Sequence, residues 1–364
     1  MSRIIACAVI GLTAAVMAGR ARATAADTPA PAVPLVVGLM TVSAVHEPQK
    51  GDYESILKVS AVGPTGATFT VSANVEDRRI SVRRRVMRQD AESAHAWRPR
   101  YHEGDPDTYA GSTGGLGVSA AVLADLKTRK QAAFTAFIED DPLGDLARGL
   151  GADLGQLLGH ADDSAGAKGT LSRVEPQAVP VSVLVNDVRM DLPAIHARGK
   201  LGDDDAEFYF LDNPALPLVL RFRIGSITSR LIKIAIPAET AAHDLESRLS
   251  RDGRAEIYGI YFDFAKATIR PESEGVLKEI GDVMSKNPTW TLQVEGHTDN
   301  IGGASSNQDL SVRRSNAVRQ ALVDRYRIAP ARLTTQGFGA SRPKETNDTL
   351  EGRARNRRVE LVRQ

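Results

Sequence analysis

Near residue 254 the spacing of apolar residues changes, and the change divides the chain. Before it, apolar and polar residues alternate with period two, as half-buried strands require. Ala67 to Val75 is the clearest case, with Phe69, Val71, Ala73 and Val75 set against polar neighbours. Gly63-Pro64-Thr65-Gly66 is a turn joining it to a strand near Glu54 to Val62. Further strands are expected at Val181–Val185, Ile195–Leu201, Glu207–Leu211, Leu218–Ile224 and Ser229–Ile236, separated by Gly, Pro, Asn or Asp. One helix stands among them, Ser119–Lys130, with Val122, Leu123 and Leu126 on its apolar face and Ser119 as N-cap. After residue 254 strands and helices alternate. Ile257–Phe264 reads as an aromatic-rich strand, and Pro271 opens a helix to Lys286 that buries Val276, Ile280 and Val283. Leu292 and Val294 mark a strand, Asn307–Arg327 a long helix, and Leu333–Gly337 and Arg358–Val362 two more strands. The expected class is therefore α+β. A β-rich sandwich or half-barrel over 35–236 precedes an α/β domain over 254–364 with helices packed on a mixed sheet. A polar helix, Ala238–Ser250, stopped by Gly253, would connect them within 237–253.

The N-terminus reads as a secretory signal over 1–25. Arg3 is followed by an apolar run, Ile4–Ala18, and by the small-x-small triplet Ala23-Thr24-Ala25. The run is shorter than the roughly 20 residues of a membrane span, although Arg20 and Arg22 leave an uncleaved anchor as the alternative. Ala26–Pro34 is a Pro/Ala linker. Cys7, the only cysteine, lies in the signal, so the mature chain has no disulfide and no thiolate site. Asp140–Lys168 is rich in Gly, Ala and Asp and reads as a mobile insertion or as a short helix near Leu146–Leu158. A net charge of +1 over 364 residues argues against nucleic-acid binding through a broad basic field.

Three segments carry the functional signal: Tyr261-Phe262-Asp263-Phe264, Gly296-His297-Thr298-Asp299-Asn300-Ile301-Gly302, and Asn307 to Val318. Gly337-Phe338-Gly339 and Asn356-Arg357-Arg358-Val359-Glu360 follow them in order. Together they resemble the OmpA-like peptidoglycan-binding family. The resemblance implies a ligand, the cell-wall peptide stem, and within it usually diaminopimelate, whose free end carries an ammonium and a carboxylate. Asp299 matches the family's carboxylate and Arg314 its guanidinium. Asp299 would accept the ammonium; Arg314 would fork onto the carboxylate and orient Asp299. Asn307, Leu310 and Arg314 share one helix face, whereas Arg313 points elsewhere. Asn307 would offer a donor and an acceptor to peptide amides, and Leu310 would pack on the methylene chain. Of Arg357 and Arg358, strand alternation sends one outward; Arg357 is taken as the peptidoglycan contact, and a buried pair with a neighbouring acid is the alternative. Ala265 stands where many members carry Asn or Asp, so a polar contact from there is lost. His297 is read as a turn or packing residue rather than a ligand.

The resemblance further implies a Gram-negative periplasmic location, associated with the wall at the outer membrane. It implies no enzyme activity, no catalytic residue, no metal and no cofactor. Outer-membrane proteins and lipid are further candidate partners. For 35–236 a weaker likeness to lipoprotein-carrier half-barrels rests on Leu192-Pro193-Ala194-Ile195 and Glu207–Leu211. A lipid carrier or a wall-localised enzyme are thus the rival functions. A continuous apolar pocket would favour the carrier, and clustered acids or His in a cleft the enzyme. The strands lack the regular count and aromatic girdles of a membrane barrel. Four other signals have structural readings. The histidines lack metal-ligand spacing. Gly111–Gly117 lacks the Gly-Lys-Ser/Thr of a phosphate loop and reads as flexible. Arg83, Arg84, Arg85 and Arg88 read as a solvated edge strand, with contact to anionic lipid or glycan the minority reading. Asp203-Asp204-Asp205 reads as a turn.

Overall fold

The turn at Gly63–Gly66 closes one of the many antiparallel pairings that build the N-terminal region. The computed structural model describes residues 33–75, 78–99, 106–138, 166–237, 244–263 and 265–364. The signal, nearly all of the linker, most of Asp140–Lys168 and Phe264 lie outside these residues.

Twelve strands form one sheet: β1 Met40–Glu47, β2 Gly51–Gly63, β3 Gly66–Val75, β4 Arg78–Met87, β5 Ala96–Trp97, β6 Gln131–Ala136, β7 Ala167–Arg173, β8 Val179–Val185, β9 Val188–Leu201, β10 Asp204–Leu211, β11 Val219–Ile224 and β12 Ile227–Ala235. Their order is β4-β3-β2-β1-β12-β11-β10-β9-β7-β6-β5. β8 pairs antiparallel with the first half of β9 and parallel with β12 at Lys233 and Ile234. Hydrogen bonding therefore runs in a closed circuit through β8, β9, β10, β11 and β12, with β1–β4 extending one side and β5–β7 the other. This is one continuous, part-closed sheet rather than two facing sheets.

Its apolar faces make two cores. One gathers Val59, Phe69, Val183, Leu192, Leu220 and Ile234. The other is aromatic, with Trp97 edge-on to Phe208 and Phe222 at ring-centroid distances of 5.6 and 5.0 Å. The helix Ala120–Thr128 covers it with Val122, Leu123 and Leu126, and Ser119 Oγ accepts from the Val122 N–H as its cap. Residues 111–117 correct the expectation of a flexible loop. Ser112 and Thr113 are buried, Thr113 Oγ1 donates to the Gly117 carbonyl at 2.6 Å, and a Cβ on Gly117 would stand 2.4 Å from the Pro217 carbonyl oxygen. Arg83, Arg84 and Arg85 of the arginine run lie on an edge strand, β4, whereas Arg88 opens a short helix, Arg88–Ser93, and the run is not wholly solvated. Arg84 turns inward over Tyr109, and Arg83 pairs with Asp107 at 2.6 Å.

In the C-terminal region four strands, β13 Arg254–Ile257, β14 Leu292–Gly296, β15 Leu333–Gly337 and β16 Val359–Arg363, stand in the order β13-β16-β14-β15, with β14 and β15 parallel. Helices Glu274–Lys286 and Ala304–Tyr326 pack on this mixed sheet. The described part of the connecting helix, Asp244–Asp252, is more than a connector: Leu245 and Leu249 are buried in the C-terminal core. Gly253 ends it at φ 68°. The expected strand Ile257–Phe264 is also corrected, because the ladder stops at Ile257. Beyond it the main chain pairs locally: the Tyr261 N–H donates to Ser273 Oγ at 2.8 Å, and the Arg270 N–H donates to the Tyr261 carbonyl. The chain leaves the sheet to carry Tyr261 into an apolar cluster with Met40, Val42, Ala44, Ile56 and Ile232.

That cluster joins the two sheets, and residues 31–364 form one compact unit. Polar contacts ring it: Ser72 Oγ donates to Glu272 at 2.8 Å, Arg230 pairs with Glu351 at 2.8 Å, and Arg189 with Glu345 at 2.7 Å. Among the described residues no helix is long and apolar enough to cross a membrane.

Candidate functional site

The sequence-predicted residues meet at the end of β14, where glycine lets a helix come close. A Cβ on Gly296 would stand 2.3 Å from the Ser311 carbonyl oxygen, and one on Gly337 2.5 Å from Ser311 Oγ. The first half of the long helix accordingly buries small or polar residues, Asn307, Ser311 and Ser315. Gly339 N–H donates to Ser311 Oγ at 2.9 Å and locks the approach. The helix face beside this contact presents Asn307, Leu310 and Arg314 to one cavity of about 750 Å³. Arg313 faces away and pairs with Asp309 at 2.8 Å.

The loop after β14 is held by main chain. His297 N–H donates to the Arg358 carbonyl at 3.0 Å, and Thr298 N–H to the Gly339 carbonyl at 2.9 Å. Asp299 Oδ1 accepts from the Ile301 N–H at 3.1 Å, an Asx turn that fixes its carboxylate at the cavity wall. Asn307 stabilises the same loop. Its amide donates to the carbonyls of Asp299 and Ile301 at 3.2 and 3.0 Å. This corrects its expected role, since its donors serve the loop and only its side-chain carbonyl is left for a ligand.

Arg357, not Arg314, orients Asp299. Its Nη1 donates to Asp299 Oδ2 at 2.5 Å and its Nη2 to Glu54 Oε1 at 2.6 Å. Burial opposes the charge on Arg357, but the carboxylates of Glu54 and Asp299 outweigh it and raise the pKa. Arg314 lies across the ring of Phe262, 4.8 Å from its centroid, and donates from Nε to the Lys266 carbonyl at 3.0 Å. Burial, with repulsion from Arg357 added, lowers its pKa to about 10, so it stays charged at neutral pH. Among the described residues it has no carboxylate partner.

Arg358 takes the buried alternative. It donates to Glu360 at 2.9 and 2.5 Å inside the sheet. His297 is buried beside this pair and stacks on Phe338 at a centroid distance of 5.4 Å. Burial, then the Arg358 charge, lowers its pKa to about 4. Glu295, His297 and Glu360 each bring one ligand atom within 4.8 Å of the others. Guanidinium groups already neutralise both carboxylates there: Arg254 lies 3.2 Å from Glu295, and Arg358 holds Glu360. A cation would meet like charge.

The far side of the cavity comes from the N-terminal sheet, and sequence reasoning missed it. Asp52, Tyr53 and Glu54 of β2, Val42 and Ala44 of β1, and Lys233 of β12 line it. Arg353 pairs with Asp52 across the gap. No motif marks these residues; they read as the ordinary start of a strand. This cavity lies between the two regions rather than within the part-barrel. Ala265 lines it at φ 51°, a left-handed conformation that Asn adopts more readily than Ala.

Comparison with known proteins places the matching segment here. The OmpA family model matches residues 261–357. Outer membrane porin F of Pseudomonas aeruginosa is 46% identical over 101 residues, which are 28% of this chain and 29% of that protein. Outer membrane protein A of Bordetella avium is 41% identical over 101 residues, 28% of this chain and 52% of that protein. The peptidoglycan-associated lipoprotein from Burkholderia pseudomallei is a structural neighbour at 27% identity and TM-score 0.27, covering 29% of this chain and 88% of that one. The chain thus spans about a third of porin F and about half of the Bordetella protein. Its C-terminal third, at residues 261–357, is an OmpA family domain.

Proposed function

We propose that this domain binds peptidoglycan non-covalently, through the diaminopimelate residue of the peptide stem, and holds the β-rich region to the cell wall. The observation that carries the reading is a matched pair of unlike charges in one cavity. Asp299 is a carboxylate fixed by its own loop, and Arg314 is a guanidinium without a carboxylate partner among the described residues. The free end of diaminopimelate carries an ammonium and a carboxylate on one carbon. Its ammonium donates to Asp299, and its carboxylate takes a forked contact from Arg314. Leu310 supports the methylene chain between that end and the peptide. The Arg314 guanidinium is pre-positioned by the Lys266 carbonyl and the Phe262 ring, so little side-chain freedom is lost on binding.

The role is binding rather than catalysis, in the periplasm and on the wall side of the outer membrane. Outer-membrane proteins or lipid are candidate partners of the β-rich region. Co-sedimentation of the full chain with purified sacculi, and calorimetry with a diaminopimelate-containing peptide, test the reading. Asp299→Asn keeps the turn-forming oxygen and removes the charge. A charged contact deprived of its partner costs about 2–5 kcal/mol, so affinity should fall by more than about thirtyfold while the thermal melt stays cooperative. Wild-type affinity in Asp299→Asn would rule the site out.

A further inference from the structure

We propose that Glu54, on β2 of the N-terminal sheet, is a specificity-determining residue of the wall-peptide site and makes it a two-region site for a zwitterionic group. The inference rests on the reading above and extends it to a residue outside the OmpA family domain. Arg357 holds two carboxylates on its two terminal nitrogens, Asp299 at 2.5 Å and Glu54 at 2.6 Å. One guanidinium thus sets the acids side by side on the cavity wall, one from each region. Each has acceptor capacity left. Asp299 uses Oδ1 for the Ile301 N–H and Oδ2 for Arg357, and a carboxylate oxygen can accept more than one hydrogen bond. Glu54 engages Arg357 through Oε1 only, which leaves Oε2 for a donor.

The consequence is a division of labour. With both terminal nitrogens of Arg357 engaged, Arg314 is the guanidinium that receives a carboxylate. The paired acids receive an ammonium. Among these four groups two carboxylates balance two guanidiniums, which suits a ligand group carrying one charge of each sign. Without Glu54 the wall would hold two guanidiniums against one carboxylate, and a terminal nitrogen of Arg357 would be released toward the cavity. A ligand bearing only a carboxylate would then bind better, and one bearing an ammonium as well would lose an acceptor.

The test compares two synthetic stem peptides on the full chain by calorimetry. One contains diaminopimelate. The other contains 2-aminopimelate in its place, which keeps the distal carboxylate and lacks the distal ammonium. Wild type should prefer the first by at least about tenfold, the size of one charge-assisted hydrogen bond. Glu54→Gln keeps the shape and removes the charge. It should lower that preference several-fold, by weakening the first peptide and strengthening the second. Glu54→Asp, which keeps the charge on a shorter arm, should fall between them, and thermal melts establish that each variant is folded. An unchanged preference in folded Glu54→Gln overturns the proposal. So does an equal gain for both peptides, which would make Glu54 a plug rather than a selector. Failure of wild type to bind either peptide, or undiminished binding of the first by Asp299→Asn, overturns the underlying site. A loss of preference in Glu54→Gln with the Asp299 requirement intact supports both.

Discussion

Arg357 and Arg358 are neighbours in sequence and stand in two unlike clusters. Arg358 is sealed in the sheet with Glu360, near Glu295 and His297, and all four residues are at most 4% exposed. Arg357 stands at the interface, tied to Asp299 and Glu54, on the wall of a large cavity. Both clusters contain guanidiniums and carboxylates at hydrogen-bond distance. In the sealed cluster the charges satisfy one another, and burial beside Arg358 holds the pKa of the imidazole wedged among them low. In the open cluster a second guanidinium, Arg314, faces space with only a carbonyl and a ring for company. The contrast separates charges that satisfy one another from one charge left unmatched beside a volume that a ligand can enter.

The comparison breaks most sharply at Arg358. If its cluster is structural, Arg358→Ala leaves the buried Glu360 carboxylate only the half-exposed Arg254, 3.4 Å away, at a cost of up to about 3 kcal/mol. Urea melts should show that loss, and near-native stability would mean the sealed cluster is not sealed. The open cluster should respond oppositely. Arg314→Lys keeps the charge but loses the planar fork, so peptide affinity should fall by about 2 kcal/mol with the melt little changed. Arg313→Ala, on the outer face of the same helix, should bind sacculi like wild type. Equal effects of the two changes would erase the distinction between the faces.

His297 sharpens the comparison through pH. Its native pKa of about 4 lies below the ordinary value of 6.5. The unfolded chain therefore takes up the proton first as pH falls. The contribution to stability is complete above about pH 6.5 and is lost between there and about pH 4. Going from pH 7 to 4.5 should cost wild type about 2 kcal/mol more than it costs His297→Phe, in which the ring still stacks on Phe338. Equal losses would mean that the imidazole is not held neutral. A small effect on stability is expected at Ala265, on the cavity wall at φ 51°. Ala265→Asn should raise stability by less than about 1 kcal/mol, since Asn tolerates the left-handed region better than Ala. A lowered melting temperature would show that the conformation is not strained there.

Local signals were strong enough to be read without a structure. The helix Ala120–Thr128, its Ser119 cap and its buried face were legible, because caps and 3.6-residue periodicity act within a single element. The Gly63–Gly66 turn and most later strands were legible for the same reason. In the C-terminal third, the ordered motifs located Asp299, Leu310 and Arg314 on one wall. Where the reading erred, a tertiary contact had overridden local pattern. The aromatic run after Ile257 has strand composition, but the two-region apolar cluster draws Tyr261 out of the ladder. Asn307 carries a second role that no motif shows: a loop that exposes Asp299 needs its carbonyls satisfied, and Asn307 is the donor within reach.

By itself, then, the sequence determined the class of most N-terminal strands, of the helix Ala120–Thr128 and of the two helices that pack on the second sheet, and the ordered motifs of an OmpA family domain. Only the tertiary structure decided which arginine holds Asp299, that the twelve strands form one sheet closed through β8–β12, and that the N-terminal sheet supplies Glu54 to the same cavity. Periodicity and motifs record interactions over a few residues. Glu54 and Arg357 are separated by 303 positions, and a pairing at that range is set by how two sheets dock, which no local pattern encodes.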